Sequence, residues 1–364
     1  MAERARTRES RRLKVAIVGP VSPYRAGIAY CTTRLARELD ADVISFRRQY
    51  PKHFYPGGDD IDPTLPRAEA EFILDILNPL TWFRAARRLR RYDAVIFVWW
   101  IWVWAIPYRL MMSKAHRVIL QCHNIGEKEP SWWKRALSDV ALRRGDVLVV
   151  HAESEAVEAR RRVGERVVKT FLPVHEMGGV APDRDAAKKT LGLSGRNVAL
   201  LFGHLRPYKG LDIALDAWRL LRTEVTLLVA GEPWWKTGLN IAQPNVRLDL
   251  RFIPDSEIAT YFAAADVVVA PYRTESQSGV ALTAFHFGRP VIATAVGGLS
   301  ELIDGRNGIL VPPEDPEALA RAVDEFYTRR DRRSMERAAA ESAKRYSWTE
   351  YGHVFERLLL SSRA

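Results

Sequence analysis

A chain of 364 residues is longer than one ordinary hydrophobic core supports, and two domains of about 150–200 residues are the natural division. The composition is that of a soluble globular protein, and its two cysteines, Cys31 and Cys122, have no ligand-like spacing; this excludes a disulfide framework and a cysteine zinc site, and fits a reducing cytoplasm. The net charge of +11 belongs to one half, since residues 1–175 hold 31 Lys and Arg against 20 Asp and Glu, whereas residues 176–364 hold 24 of each.

In chain order, residues 1–12 form a basic tail expected to be disordered. The basic start runs into LKVAIVGPVSPY, a short apolar run ended by Pro and Ser, a pattern that does not resemble a signal peptide, so none is expected. LKVAIVGPV predicts a first strand, GIAYCTTRLARELD a helix and ADVISF a second strand. FRAARRLRRY then crowds Arg84, Arg87, Arg88, Arg90 and Arg91 into one short helical segment. That segment reads either as a solvated basic face or as an attraction to an anionic partner such as phospholipid or a lipid phosphate; no nucleic-acid motif accompanies it. AVIFVWWIWVWAI, Ala94 to Ile106, has 13 residues and is too short to span a bilayer. Its Trp99, Trp100, Trp102 and Trp104 read as core or as an interfacial patch beside the basic helix. HRVILQCHN and DVLVVHA complete the first series of strands.

After LPVHEMGGVAPDRD the same alternation restarts with NVALLFGHL, TEVTLLVAGE, NVRLDLRFI, DVVVAPY, RPVIATAV and GILVPP. The expected fold is α/β, with two doubly wound domains over 13–175 and 176–345. Residues 346–364 break the pattern. There YSWTEYGHVFERLLLS spaces Trp348, Tyr351, Phe355, Leu358 and Leu359 for one amphipathic helix, which needs a surface to cover.

Three stretches carry candidate chemistry. In GPVSPYRAGIAY a strand ends at Gly19 and a helix starts near Gly27, so backbone N–H groups favour an anion; the two glycines, eight apart, do not make a dinucleotide fingerprint. In FGHLRPYKGLDIALDAW, Arg206 and Lys209 precede a helix beginning around Gly210, an arrangement suited to a diphosphate. In PYRTESQSGVALTAFHFGRPV a Ser/Gln-rich turn with Glu275 separates two apolar strand candidates, where a parallel sheet meets its ligands. Three Asp-x-Asp pairs, Asp40 with Asp42, Asp60 with Asp62 and Asp183 with Asp185, follow no strand of the second half and read as turn and cap residues, so no metal is expected.

PYRAGIAY, FGHLRPYKGLD, VAGE, PYRTESQSGVALTAFHFGRPVIATAVGGLSELI and NGILVPPEDPEALARAV together resemble the retaining GT-B glycosyltransferases of family 4, glycosyl transferases group 1. The likeness runs in order along nearly the whole chain and is strongest from Val198 to Val323. It implies two Rossmann-like domains with a cleft between them, and a C-terminal helix that crosses back onto the first. It also implies a nucleotide-sugar donor, UDP- or GDP-hexose, as co-substrate, with no cofactor. The acceptor would be lipid-linked or a saccharide, handled in the cytoplasm or peripherally at the inner face of the membrane.

By the same resemblance Arg206 and Lys209 hold the donor diphosphate, and Glu275 contacts the donor sugar. Ser276, Gln277, Ser278 and Gly279 reach sugar and phosphate through the backbone, and Gly27 with Ile28 lies beneath the diphosphate. Gly203, Gly231 and Glu301 fall among the donor-binding positions, and His123 faces the reacting sugar. Three features depart from the family: Thr283 stands where a second glutamate usually binds the ribose, Gln277 and Ser278 follow the position after Glu275 in a QSG run that a related subset shares, and His204 stands where many members carry arginine. A hydroxyl can still bond a ribose, without charge and with shorter reach. Thr283 is the reason to keep a catalytically silent sugar-nucleotide sensor or assembly partner as the alternative, with a sugar-nucleotide epimerase third.

Overall fold

The computed structural model describes residues 13–25, 27–50, 60–126, 131–234 and 243–361, and the basic tail expected over 1–12 lies outside them. Strands β1 (Val15–Val18), β2 (Asp42–Arg48), β3 (Glu71–Asp75), β4 (Ala94–Trp99), β5 (Val118–Cys122), β6 (Val147–Val150) and β7 (Val167–Lys169) form one sheet in the order 3-2-1-4-5-6-7. Strands β8 (Val198–Phe202), β9 (Thr226–Ala230), β10 (Val246–Asp249), β11 (Val267–Ala270), β12 (Val291–Thr294) and β13 (Gly308–Val311) form the second, in the order 10-9-8-11-12-13. Every pairing is parallel.

The apolar runs VAIV and AVIFVW, and VILQC, apolar but for Gln121, are buried along their length, because helices cover both faces of the sheet. Two strands were not expected from the sequence, β3 and β7. Both lie at the edges of the first sheet, where half-exposed strands carry Glu71, Asp75 and Lys169 and so lack a continuous apolar run.

On one face of the first sheet lie the helices Gly27–Glu38 and Trp348–Leu360; on the other lie Pro79–Leu89, Ala105–Met112, Trp132–Leu142 and Glu153–Val163. The helix Trp348–Leu360 buries Trp348, Tyr351, Phe355 and Leu359, as its spacing predicts, and each such side chain contributes roughly 1.5–3 kcal/mol. Ser347 caps its start, and the Trp348 indole donates to Val174 O at 2.9 Å. A single apolar cluster, containing Val15 and Ile17 as well as Val198, Phe262 and Tyr351, runs from one lobe into the other.

Trp99 and Trp104 belong to the core, and the Trp104 indole donates to Gln49 O at 3.1 Å. Trp100 and Trp102 are half-buried. The Asp-x-Asp positions do local work: Asp183 caps the helix Arg184–Thr190, Asp62 accepts from the backbone and hydroxyl of Thr64, and Asp42 accepts from the Tyr92 hydroxyl. No helix among the described residues is long and apolar enough to cross a membrane.

Candidate active site

Strand order reverses between β1 and β4 in the first sheet and between β8 and β11 in the second. Ligands of open α/β sheets bind beyond the carboxyl ends of the strands at such a point. Here the two crevices face each other. The Ser276 hydroxyl has two acceptors within reach of its one hydrogen, His123 O at 3.5 Å and Asn124 Oδ1 at 3.4 Å, and the Gln277 amide donates to the His151 carbonyl.

The wall from the second sheet is cationic. Arg206 precedes a short 3-10 turn, Pro207–Lys209, and its guanidinium lies 4.1 Å from the centroid of the Trp234 ring. Lys209 is buried, with Nζ 3.2 Å from the Tyr272 hydroxyl. Gly210 then turns the chain into the helix Leu211–Leu220 at φ 68°, and a Cβ there would stand 2.0 Å from Pro271 O, so only glycine fits. Next to these cations His204 is neutral at pH 7. Burial, followed by the charges of Lys209, Arg206 and Arg25, pushes its pKa down to about 4. Arg25 comes from the opposite lobe and stacks 4.1 Å from the Phe252 ring centroid, which brings a third cation to the same edge. Below it, the Ser276 N–H donates to Glu275 Oε1 at 3.1 Å, and Ser278 caps the helix Gly279–His286.

The wall from the first sheet is built of neutral rings. The His123 backbone N–H donates to Trp99 O at 2.8 Å, which fixes the residue at the β4/β5 edge, and its ring Nε2 is buried without a hydrogen-bond partner. Burial first, then His151 and His175, hold its pKa well below the ordinary histidine value. His151 lies with its ring centroid 5.4 Å away, its pKa lowered to about 4 by burial. Its Nε2 is 2.7 Å from the Tyr351 hydroxyl, which also accepts from Gln121 Nε2 at 2.8 Å. Because neutral His151 also bonds the Cys122 backbone, its Nε2 is left to accept from the Tyr351 hydroxyl, and a residue of the C-terminal helix orients a ring beneath the cleft.

Between the walls sits His175, in the segment linking the lobes. A Cβ on Gly27 would come within 2.9 Å of its Cε1, and a Cβ on Gly279 within 2.5 Å, so the starts of two helices from different lobes close on one imidazole. Its Nε2 is 3.2 Å from Cys31 Sγ, and burial lowers its pKa to about 4.

The sequence profile of the family described as Glycosyl transferases group 1 matches residues 196–329. D-inositol 3-phosphate glycosyltransferase of Streptomyces scabiei is 30% identical over 301 residues, which cover 72% of this chain and 67% of that protein. The chain belongs to the group 1 glycosyltransferases. The enzyme of the same name from Saccharomonospora viridis is 34% identical over 229 residues, 56% of this chain and 52% of that one. The chain thus spans about half to two thirds of the length of the curated relatives it matches. The crystal structure of Anabaena HepE in complex with UDP superposes with a TM-score of 0.75 at 18% identity, covering 95% of this chain and 99% of HepE, and the fold is GT-B.

Within this glycosyltransferase framework, Arg206, Lys209, Gly203, Glu275, Ser276, Gln277, Ser278 and Gly279 come together at the β8/β11 edge, with Gly27, Ile28 and His123 facing them. Three of the expected positions have a role within the protein itself. Both oxygens of Glu301 are engaged: Oε1 accepts from Glu153 N at 2.7 Å and Oε2 pairs with Lys169 Nζ at 2.7 Å, so Glu301 ties the lobes together. Thr283 is buried and its hydroxyl donates to Gly279 O at 2.8 Å, which leaves only lone pairs for a ligand. Gly231 packs against β8, where a Cβ would meet Gly203 O at 2.0 Å, so its glycine is explained by strand packing. Sequence reasoning missed Arg25, His151, His175 and Tyr351. Arg25 stands inside the PYRAGIAY turn, and the others lie in segments without a chemical spacing.

Proposed function

We propose that this protein transfers a hexose from a nucleoside diphosphate sugar to a lipid-linked or saccharide acceptor, with retention of configuration and without a metal. The observation that carries the reading is the placing of Arg206 and Lys209 at the carboxyl end of β8, opposite His123 across the inter-lobe crevice. Anabaena HepE, with the same fold, has been crystallised with UDP-glucose.

Glycosyl transfer builds positive charge at the anomeric carbon and negative charge on the departing diphosphate. In this reading Arg206, Lys209 and the start of the helix Leu211–Leu220 stabilise the second charge, and Arg25 adds to them from the other lobe. Neutral His204 contributes a hydrogen-bonding ring and no further charge. Glu275 accepts hydrogen bonds from sugar hydroxyl groups, and the free Nε2 of His123 bonds another. The leaving phosphate oxygen takes the acceptor's proton on the face it departs from, so no carboxylate base is required.

A thermal-shift screen of UDP, GDP and ADP and their hexoses tests the donor half; one base should raise the unfolding temperature, because it binds the native state alone. Turnover is then followed with D-inositol 3-phosphate and polyprenyl-phosphate-linked sugars as acceptors. Arg206→Ala should lower it by about 100-fold or more. Unchanged turnover in that variant, or no shift with any nucleotide, overturns the reading.

A further inference from the structure

The helices Pro79–Leu89, Ala105–Met112 and Trp132–Leu142 lie side by side on the face of the first sheet opposite the C-terminal helix. Their inner sides are buried through Ala85, Leu89, Met111 and Leu142. Their outer side carries large apolar groups in water: Leu77 is 58% exposed, Leu80 75%, Phe83 55%, Ile106 58%, Trp132 83% and Trp133 41%. Single exposed leucines are ordinary on soluble proteins, but five such residues on three adjoining helices, with Leu77 just before the first of them, are not. Trp133 also meets half-buried Trp102 edge-on at 4.8 Å, which links the third helix to the segment after β4.

The position of these groups follows from the topology. In a parallel sheet every crossover helix begins at the carboxyl edge. Leu80, Ile106, Trp132 and Trp133 are the first or second residues of their helices, and so lie along the edge that also bears His123. Beyond them, on the same helices or just after, Arg84, Arg87, Arg91 and Arg109 are exposed. The sequences PLTWFRAARRL and AIPYRLMM contain no acidic residue, and among the described residues none of these four arginines forms an ion pair.

We propose that this three-helix face docks on an anionic lipid bilayer. Tryptophan, leucine and phenylalanine side chains suit the boundary between headgroups and acyl chains, while arginines extend to lipid phosphates. Charge decides the occupant. A second copy of this chain, packed by a two-fold axis, would bring two rows of arginine together with no carboxylate on these two helices to offset them. An anionic sheet complements the same rows. Docking in this orientation sets the carboxyl edge of the first sheet near the bilayer surface, so that a lipid-linked acceptor reaches His123 with its tail still in the membrane. That last step rests on the transferase reading; the docking itself does not.

Co-sedimentation with neutral phosphatidylcholine vesicles and with mixed phosphatidylcholine–phosphatidylglycerol vesicles, without any nucleotide sugar, separates the two. The full chain should bind the mixed vesicles and lose most of that binding at high salt. Trp132→Ser with Trp133→Ser should weaken binding at least tenfold, and each of Arg84→Gln, Arg87→Gln and Arg109→Gln by about fivefold. All are exposed positions, and an unchanged circular dichroism spectrum verifies folding. Equal binding to both vesicle types, binding to neither, or a dimer in sedimentation velocity that Trp132→Ser dissolves would overturn the proposal. Failure of turnover with intact vesicle binding would instead count against the transferase reading alone.

Discussion

At the carboxyl ends of β8 and β11, Arg206, Lys209 and Glu275 bring formal charge to the cleft, whereas at the ends of β5 and β6 the groups are imidazoles, His123 and His151, held neutral by burial. Both lobes use the same order of their first six strands and the same kind of reversal, so the difference does not come from topology. It comes from the residues just past each strand end. After β8 the chain offers a polar turn with two cations and a helix start, and after β5 it offers a ring with one open nitrogen. One architecture thereby yields a strand end lined by cations and a strand end lined by neutral rings, with the charge of Arg25 reaching across from the turn after β1.

The sharpest way to break that contrast is Lys209→Met, which keeps the packing beside Tyr272 and removes the charge. Turnover should fall by about 10²–10³-fold, against roughly tenfold for His123→Gln, where only a neutral hydrogen bond is lost. Equal losses in steady-state kinetics would show that charge does not distinguish the two walls.

Acid provides the next test. His151, His175 and His204 have pKa values of about 4 in the folded protein, below the ordinary 6.5, so the unfolded chain binds more protons between these limits. Stability is therefore full above about pH 6.5 and declines as pH falls toward 4, by up to about 3 kcal/mol for each ring. Urea midpoints measured across that window should show the decline, and His175→Gln should make it shallower by one ring's share while His151 and His204 maintain the rest. A flat profile in the unaltered protein would mean that the rings are less shielded than the packing indicates.

Tyr351→Phe is the mildest change. It deletes one oxygen, leaving His151 Nε2 and Gln121 Nε2 without their shared partner, at a cost of about 1–2 kcal/mol in stability. If Tyr351 positions the neutral wall, kcat should fall while KM for the donor stays constant; a stability loss with both kinetic constants unchanged would leave it a purely structural residue.

Much of the fold was legible because its signals are local. Runs such as VAIV and VILQC need no distant partner to announce a buried strand, and the period of Trp348, Tyr351, Phe355 and Leu359 announces a helix with one covered side. The cation pair and Glu275 were visible for the same reason, since each stands within a few residues of a strand end. The contacts that Glu301 makes across the lobes were not, because its partners, Glu153 and Lys169, lie more than a hundred residues away.

The tryptophans show where the sequence stops and the tertiary structure begins. By itself the chain determined two doubly wound lobes, a covering terminal helix and which polar and charged residues stand at the turns after the central strands, because periodicity and short spacing act along the backbone. Only the packed molecule decided that Trp104 is core while Trp132 faces water, that Arg25 reaches Phe252 in the other lobe, and that His175 is enclosed by Gly27 and Gly279. Burial and approach across lobes depend on which surfaces meet in space, and the order of residues along one segment does not carry that information.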